Sequence, residues 1–289
     1  MNFDDFMKVA WNDHADHADQ VAERLAESLH VIETANQIPR YVGLVTHVYG
    51  EHLGQWERGV TLLQSLQRSS VNDGNAQAGS AITRSIAVLR YCSGNTASLT
   101  ALGTDDRVTV LATVSSALLG RHAHAEALAA YDEALRGAQQ GLAIGSPAER
   151  ALAIGGNNLA AALETKTDRD AAETDSMIRA AEAGLKYWTL AGTWLEEERA
   201  EYQLTRSLLQ AGRADEAMAS ARRCLDVCER NDAPAFERFF GHAVLALGQR
   251  AVGNIAGYDA SRQQALTFYA AVAPDEQQWC SRELREIKA

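Results

Sequence analysis

The sequence predicts an all-α protein, a right-handed α–α superhelix of antiparallel helix pairs, and three observations carry that prediction. The 289 residues are rich in Ala, Leu, Glu, Arg and Gln, which are good helix formers, and include only four prolines. Small and apolar residues recur at helical spacing, stripe after stripe, along nearly the whole chain. All four prolines (Pro39, Pro147, Pro234 and Pro274) are expected between these stripes and never inside one, and a glycine supplies the turn within several of the pairs. Only Val108 to Val114 hints at strand alternation.

The elements follow in order. A first helix pair is expected from Asn2 to Ala35. Gly54 then precedes Gly59, Leu63 and Leu66 on a helix that Trp56 opens. Ala81 to Arg90 reads as a helix, followed by a short one around Ala97 and Ala101. Gly120 precedes Ala127, Tyr131, Ala134 and Leu135, one helical stripe. Ser146-Pro147-Ala148-Glu149 reads as an N-cap, a proline at the first helical position and a capping-box Glu. The helix it opens carries Gly155-Gly156 and Asn157 to Ala160, and its partner carries Met177, Ala181, Gly184 and Leu185. Trp188 and Trp194 flank the next turn, where packing across the turn accounts for both.

The clearest pair begins at Ala200. Leu204, Leu208 and Leu209 share a face, Gly212 breaks the helix, and Ala217, Ala221, Cys224 and Leu225 form the stripe of its partner. A further pair has Leu245 and Ala246 before Gly253, then Tyr258, Ala265 and Leu266. A closing helix is expected from Asp275 to Ile287, its acidic start suited to the helix dipole. Gly59 and Ala127 lie 68 residues apart, twice a 34-residue helix-pair period; the later single intervals each exceed that period. One domain spanning 1–289 is therefore expected, of about six helix pairs and a capping helix.

Composition narrows the function classes. The net charge of -11 argues against nucleic acid or an anionic membrane as partner, since both call for a basic surface. Cys92, Cys224, Cys228 and Cys280 show no CxxC spacing and read as small buried hydrophobes in a reducing compartment. Met1 to Ala10 lacks the pattern of a signal peptide, and no run of about 18 apolar residues occurs, so a cytoplasmic location is expected.

Motifs for catalysis are missing: there is no GxSxG elbow, no GxxxxGK[ST] loop and no HExxH. In Asn12 to Asp19, the residues Asp13, His14 and His17 fall on one helical face, but structural zinc takes four ligands and no fourth is evident. No metal site is expected there, nor at His122 and His124, and no cofactor is expected.

The inter-helix glycine, the small residues of each second helix and the Asn-Leu-Ala first helix resemble the tetratricopeptide repeat superfamily. The longer spacing is similar to the solenoid sensor domains of bacterial signalling regulators. The resemblance covers nearly the whole chain, although the Trp-Leu-Gly-Tyr first-helix pattern is intact in no copy. It implies a protein- or peptide-binding scaffold without catalytic activity, or alternatively a sensor for a small peptide or metabolite that signals through another chain. It also implies that first helices line the concave face. Aligning Gly212 with the family's glycine puts Arg199, Tyr202, Arg206 and Gln210 there, with Asn157 and Arg250 at matching places in the neighbouring pairs. Such a set suits an acidic or C-terminal peptide. An ordinary solvated helix face accounts for the same residues about as well. Oligomeric state stays open, homo-oligomers included.

Overall fold

The computed structural model describes residues 1–288. It is all-helical: 78% of it lies in helices, no strand occurs among the described residues, and neighbouring helices pack as in a helical solenoid. The chain forms two compact units, Met1–Leu152 and Ala153–Ala289.

The first unit contains α1 (Phe3–Asp13), α2 (Ala18–Glu27), α3 (Ile38–Val45), α4 (Trp56–Gln67), α5 (Ala76–Cys92), α6 (Thr104–Gly120) and α7 (His124–Ala138). Between α3 and α4 the chain passes through a π-helical segment, Thr46–His52. Its core takes Phe3, Phe6 and Met7 from α1, Val21 and Leu25 from α2, and Tyr41, Leu44, Val48 and Tyr49 from α3 and the π segment. The Tyr49 hydroxyl donates to the Ala22 carbonyl at 2.7 Å, and the Tyr41 hydroxyl to that of Leu25, so the π segment and α3 are both pinned to α2.

The strand-like Val108–Val114 is helical within α6, because Val108, Val110, Leu111, Ala112 and Val114 are all buried and period-2 alternation has no solvent face to serve. The turn after α6 also differs from expectation. Gly120 is helical, and the residue with positive φ is His122, at 60°. It occupies the place that Gly212, at 72°, holds between later helices. Histidine is among the residues that tolerate this region. Gly120 serves close approach instead: a Cβ there would lie 2.7 Å from the Glu51 carbonyl oxygen.

Helix α8 (Pro147–Thr165) runs across the unit boundary, and Ser146 Oγ accepts from the Ala148 N–H at its start. The second unit continues with α9 (Ala171–Ala191), α10 (Trp194–Gln210), α11 (Ala214–Arg230), α12 (Ala235–Ala251) and α13 (Ile255–Tyr269). Successive helices from α9 to α13 pack on one another. Ala217 and Ala221 are fully buried, and Ala221 abuts Gly248 of α12.

Two expectations shift. Pro39 lies in the first turn of α3 rather than between helices, where its missing N–H has no carbonyl to lose. The continuous closing helix is a 3-10 turn, Gln277–Cys280, followed by the short α14 (Ser281–Glu286).

Candidate functional site

Three of the residues assigned to a concave face line one cleft in the second unit. Arg206, Gln210 and Arg250 surround about 320 Å³ together with Leu209, Leu247, Ala251 and Glu286. Leu209 and Leu247 provide apolar wall; Gln210 and Arg250 are exposed at the rim. The Arg250 guanidinium stands 5.5 Å from the Tyr258 ring centroid and donates to the Glu286 carbonyl at 3.0 Å.

Arg206 is not the exposed side chain that the sequence suggests. Its side chain is 4% exposed and its fork is filled by the chain's own carboxylates. Nη1 and Nη2 hold both Glu286 oxygens at 2.8 and 2.9 Å, and Nε donates to Glu164 Oε1 at 3.0 Å. Arg282 of α14 reaches the same Glu164 oxygen at 2.5 Å and Glu286 Oε1 at 3.1 Å. The Tyr202 hydroxyl donates to Glu283 Oε1 at 2.5 Å. With Arg206 Nη1 also 3.7 Å from Glu283, two guanidiniums meet three carboxylates; α14 is held to α10 through Glu283 and Glu286 and to α8 through Arg282. Burial by itself would lower the Arg206 pKa, but the Glu286 bonds outweigh it and keep the group charged. Burial likewise pushes the Tyr202 phenol up, and the Glu283 carboxylate adds to that shift. Losing one member of such a buried set costs roughly 3–5 kcal/mol, because its partners are left uncompensated.

The other three assigned residues do not line this cleft: Tyr202 is taken up by its bond to Glu283. Arg199 is exposed and pairs with Glu237 at 3.0 Å. Asn157 turns its Oδ1 toward α9, so close to Gly184 that a Cβ there would lie 2.4 Å away.

The first unit holds a second constellation, most of which sequence reasoning missed. His14, at the end of α1, meets His47 and His52 of the π segment, and one ring nitrogen from each lies within 4.8 Å of the others. Ring centroids are 4.6 to 5.1 Å apart. His47 Nε2 and His52 Nε2 stand 3.0 Å apart, His47 Nδ1 is 2.8 Å from Glu51 Oε2, and His14 Nδ1 is 2.5 Å from the Trp11 carbonyl. Burial, followed by the neighbouring imidazoles of His47 and His14, holds His52 below the usual histidine range, with Glu51 opposing.

Of the local set weighed from sequence, only His14 takes part. Asp13 is paired with Arg24 at 2.8 Å, and His17 sits exposed at the N-cap of α2. The pair His47 and His52 is five apart, a spacing that scatters side chains by about 140° on an α-helix of 3.6 residues per turn. Five-residue closure in a π-helix brings them to one side.

No helix among the described residues is long and apolar enough to cross a membrane. All four cysteines are free thiols, and burial pushes each thiol above its ordinary range, which leaves them poor nucleophiles. No protein-family model matches the chain, and no curated protein matches it either.

Proposed function

We propose that the chain is a helical scaffold that binds a protein or peptide and has no catalytic activity of its own, with the α10–α12 cleft as its binding surface. The observation that carries this reading is the cleft wall that α14 supplies through Glu286. The cleft's guanidiniums already hold an acidic helical segment, α14, through a bidentate Arg206–Glu286 pair and the Arg250 contact to the Glu286 carbonyl. A ligand of the same chemistry, a carboxylate-rich peptide, would find complementary charge at this rim, while a protein of net charge -11 repels it elsewhere.

Arg250 is the residue to test, since it is exposed and Arg206 is structural. Fluorescence anisotropy with a labelled peptide of the α14 sequence, and capture from host lysate read by mass spectrometry, should both register binding. Arg250→Glu should weaken it tenfold or more, about 1.4 kcal/mol, with the melting temperature within a few degrees of the parent. Equal capture by the folded variant would remove this cleft as the binding surface.

The cleft's volume of about 320 Å³ also favours a second reading, a sensor for a small peptide or metabolite, because small-ligand pockets begin near that size. A small effector would raise the melting temperature by binding the native state alone, with no macromolecule captured.

A further inference from the structure

We propose that His14, His47 and His52 form a binding site for a divalent transition-metal ion of the zinc class, with Glu51 positioning His47 and a fourth coordination place open to solvent. Imidazole suits zinc, copper and nickel, whereas calcium and magnesium take oxygen donors. Zinc bound tetrahedrally at about 2.0–2.1 Å holds its nitrogens roughly 3.3 Å apart. The His47–His52 pair is already at 3.0 Å, and the third nitrogen lies within 4.8 Å of both. Closing the set takes movements on the order of 1 Å, within the reach of side-chain rotation.

The outward nitrogens argue the same way. A ligating histidine normally donates its other N–H to a carboxylate or carbonyl, which fixes the tautomer and aims the lone pair at the ion. His47 has the Glu51 carboxylate for this purpose and His14 has the Trp11 carbonyl. Both arrangements leave Nε2 as the nitrogen with the free lone pair, and that of His47 faces His52 Nε2 at 3.0 Å. A plain aromatic stack accounts for the ring distances, but it does not call for this pattern of donors.

The backbone supplies an independent observation. π-helical turns are rare and frequently mark functional sites. Here the turn is what aligns His47 with His52, and it is clamped from α6: Gly120 admits the Glu51 backbone, and Arg121 donates to the His52 carbonyl at 2.6 Å. All three imidazoles are half-buried, and the adjoining Trp11 is 43% exposed, so an ion has a route in. Three histidines with one place left open match the ligand count of exchangeable or catalytic zinc rather than of closed structural sites.

The test uses the whole chain, titrated with Zn2+ against a chromophoric chelator and separately with Co2+. We expect one bound ion per chain with micromolar affinity or better, a raised melting temperature, and the intense visible Co2+ bands of a four- or five-coordinate site. His14→Ala and His47→Ala should each weaken binding at least tenfold, and Glu51→Gln by about tenfold. His17→Ala and the pair His122→Ala with His124→Ala should change nothing. The proposal is overturned if the native chain shows no saturable uptake at about 100 μM Zn2+, far weaker than a specific micromolar site. It is equally overturned if a folded His14→Ala, His47→Ala double variant binds as the parent does. Should that variant fail to fold, the Co2+ spectrum of the native chain decides: the weak bands of six-coordinate Co2+ would sink the site.

Discussion

Glu198 of α10 is 1% exposed and lies beside Cys224, whose Sγ donates to its Oε1 at 3.3 Å. Burial pushes its carboxyl up to about 7; the Cys224 contact opposes this and the Glu237 carboxylate adds to it. The folded state therefore keeps a proton that the unfolded chain has released. Stability should be greatest below the ordinary carboxylate pKa and fall as pH rises toward 7, by on the order of 3 kcal/mol at most. Glu198→Gln should flatten that slope, melting like the parent at pH 4.5 and above it at pH 8. An unchanged pH profile in calorimetry would show that the group stays ionised throughout. At this scale the sequence is a poor guide. Arg206 reads as a groove residue because nothing local reveals that Glu283 and Glu286, some eighty positions later, return to neutralise it.

Among the elements, α10 to α13 were legible because Gly212 and Gly253 take the left-handed conformation between helices whose small faces meet. Two elements were not. The π segment hides because its spacing matches no α-helical ligand pattern, and only the backbone register aligns His47 with His52. Helix α14 was expected to be a longer cap. It is instead a short helix whose Glu286 is fixed by Arg206 of α10 and whose Arg282 is fixed by Glu164 of α8. Burial by itself would raise the Glu286 carboxyl, but the bonds from Arg206 and Arg282 outweigh it and hold the group below its ordinary range. The stability that Glu286 contributes is present above the unfolded carboxylate pKa and is lost as pH falls through the lower folded value. Acidification below about pH 4 should therefore loosen α14 before the rest of its unit. Hydrogen-exchange protection factors over 283–287 should drop first; a simultaneous loss across α10 to α12 would contradict this.

At the scale of the whole molecule, the all-helical class was readable from composition and period; the division at Leu152 falls inside α8, whose helical pattern continues on both sides of it. Within the second unit, most contacts from α9 to α13 join helices adjacent in sequence, with α10 also meeting α12, but the ties from Glu164 to Arg206 and Arg282 span 42 and 118 residues. That contrast has a consequence in time. Neighbouring helices close short loops and associate early, while a tie across such a distance carries a larger loop-closure entropy and forms late. The docking of α14 needs α8, α10 and α12 already in position, which makes it a late event, little developed at the rate-limiting barrier. Glu286→Gln should therefore accelerate unfolding while leaving the refolding rate nearly as it was, a φ-value near zero in stopped-flow chevrons. A refolding limb slowed as much as the unfolding limb is accelerated would place α14 in the nucleus instead.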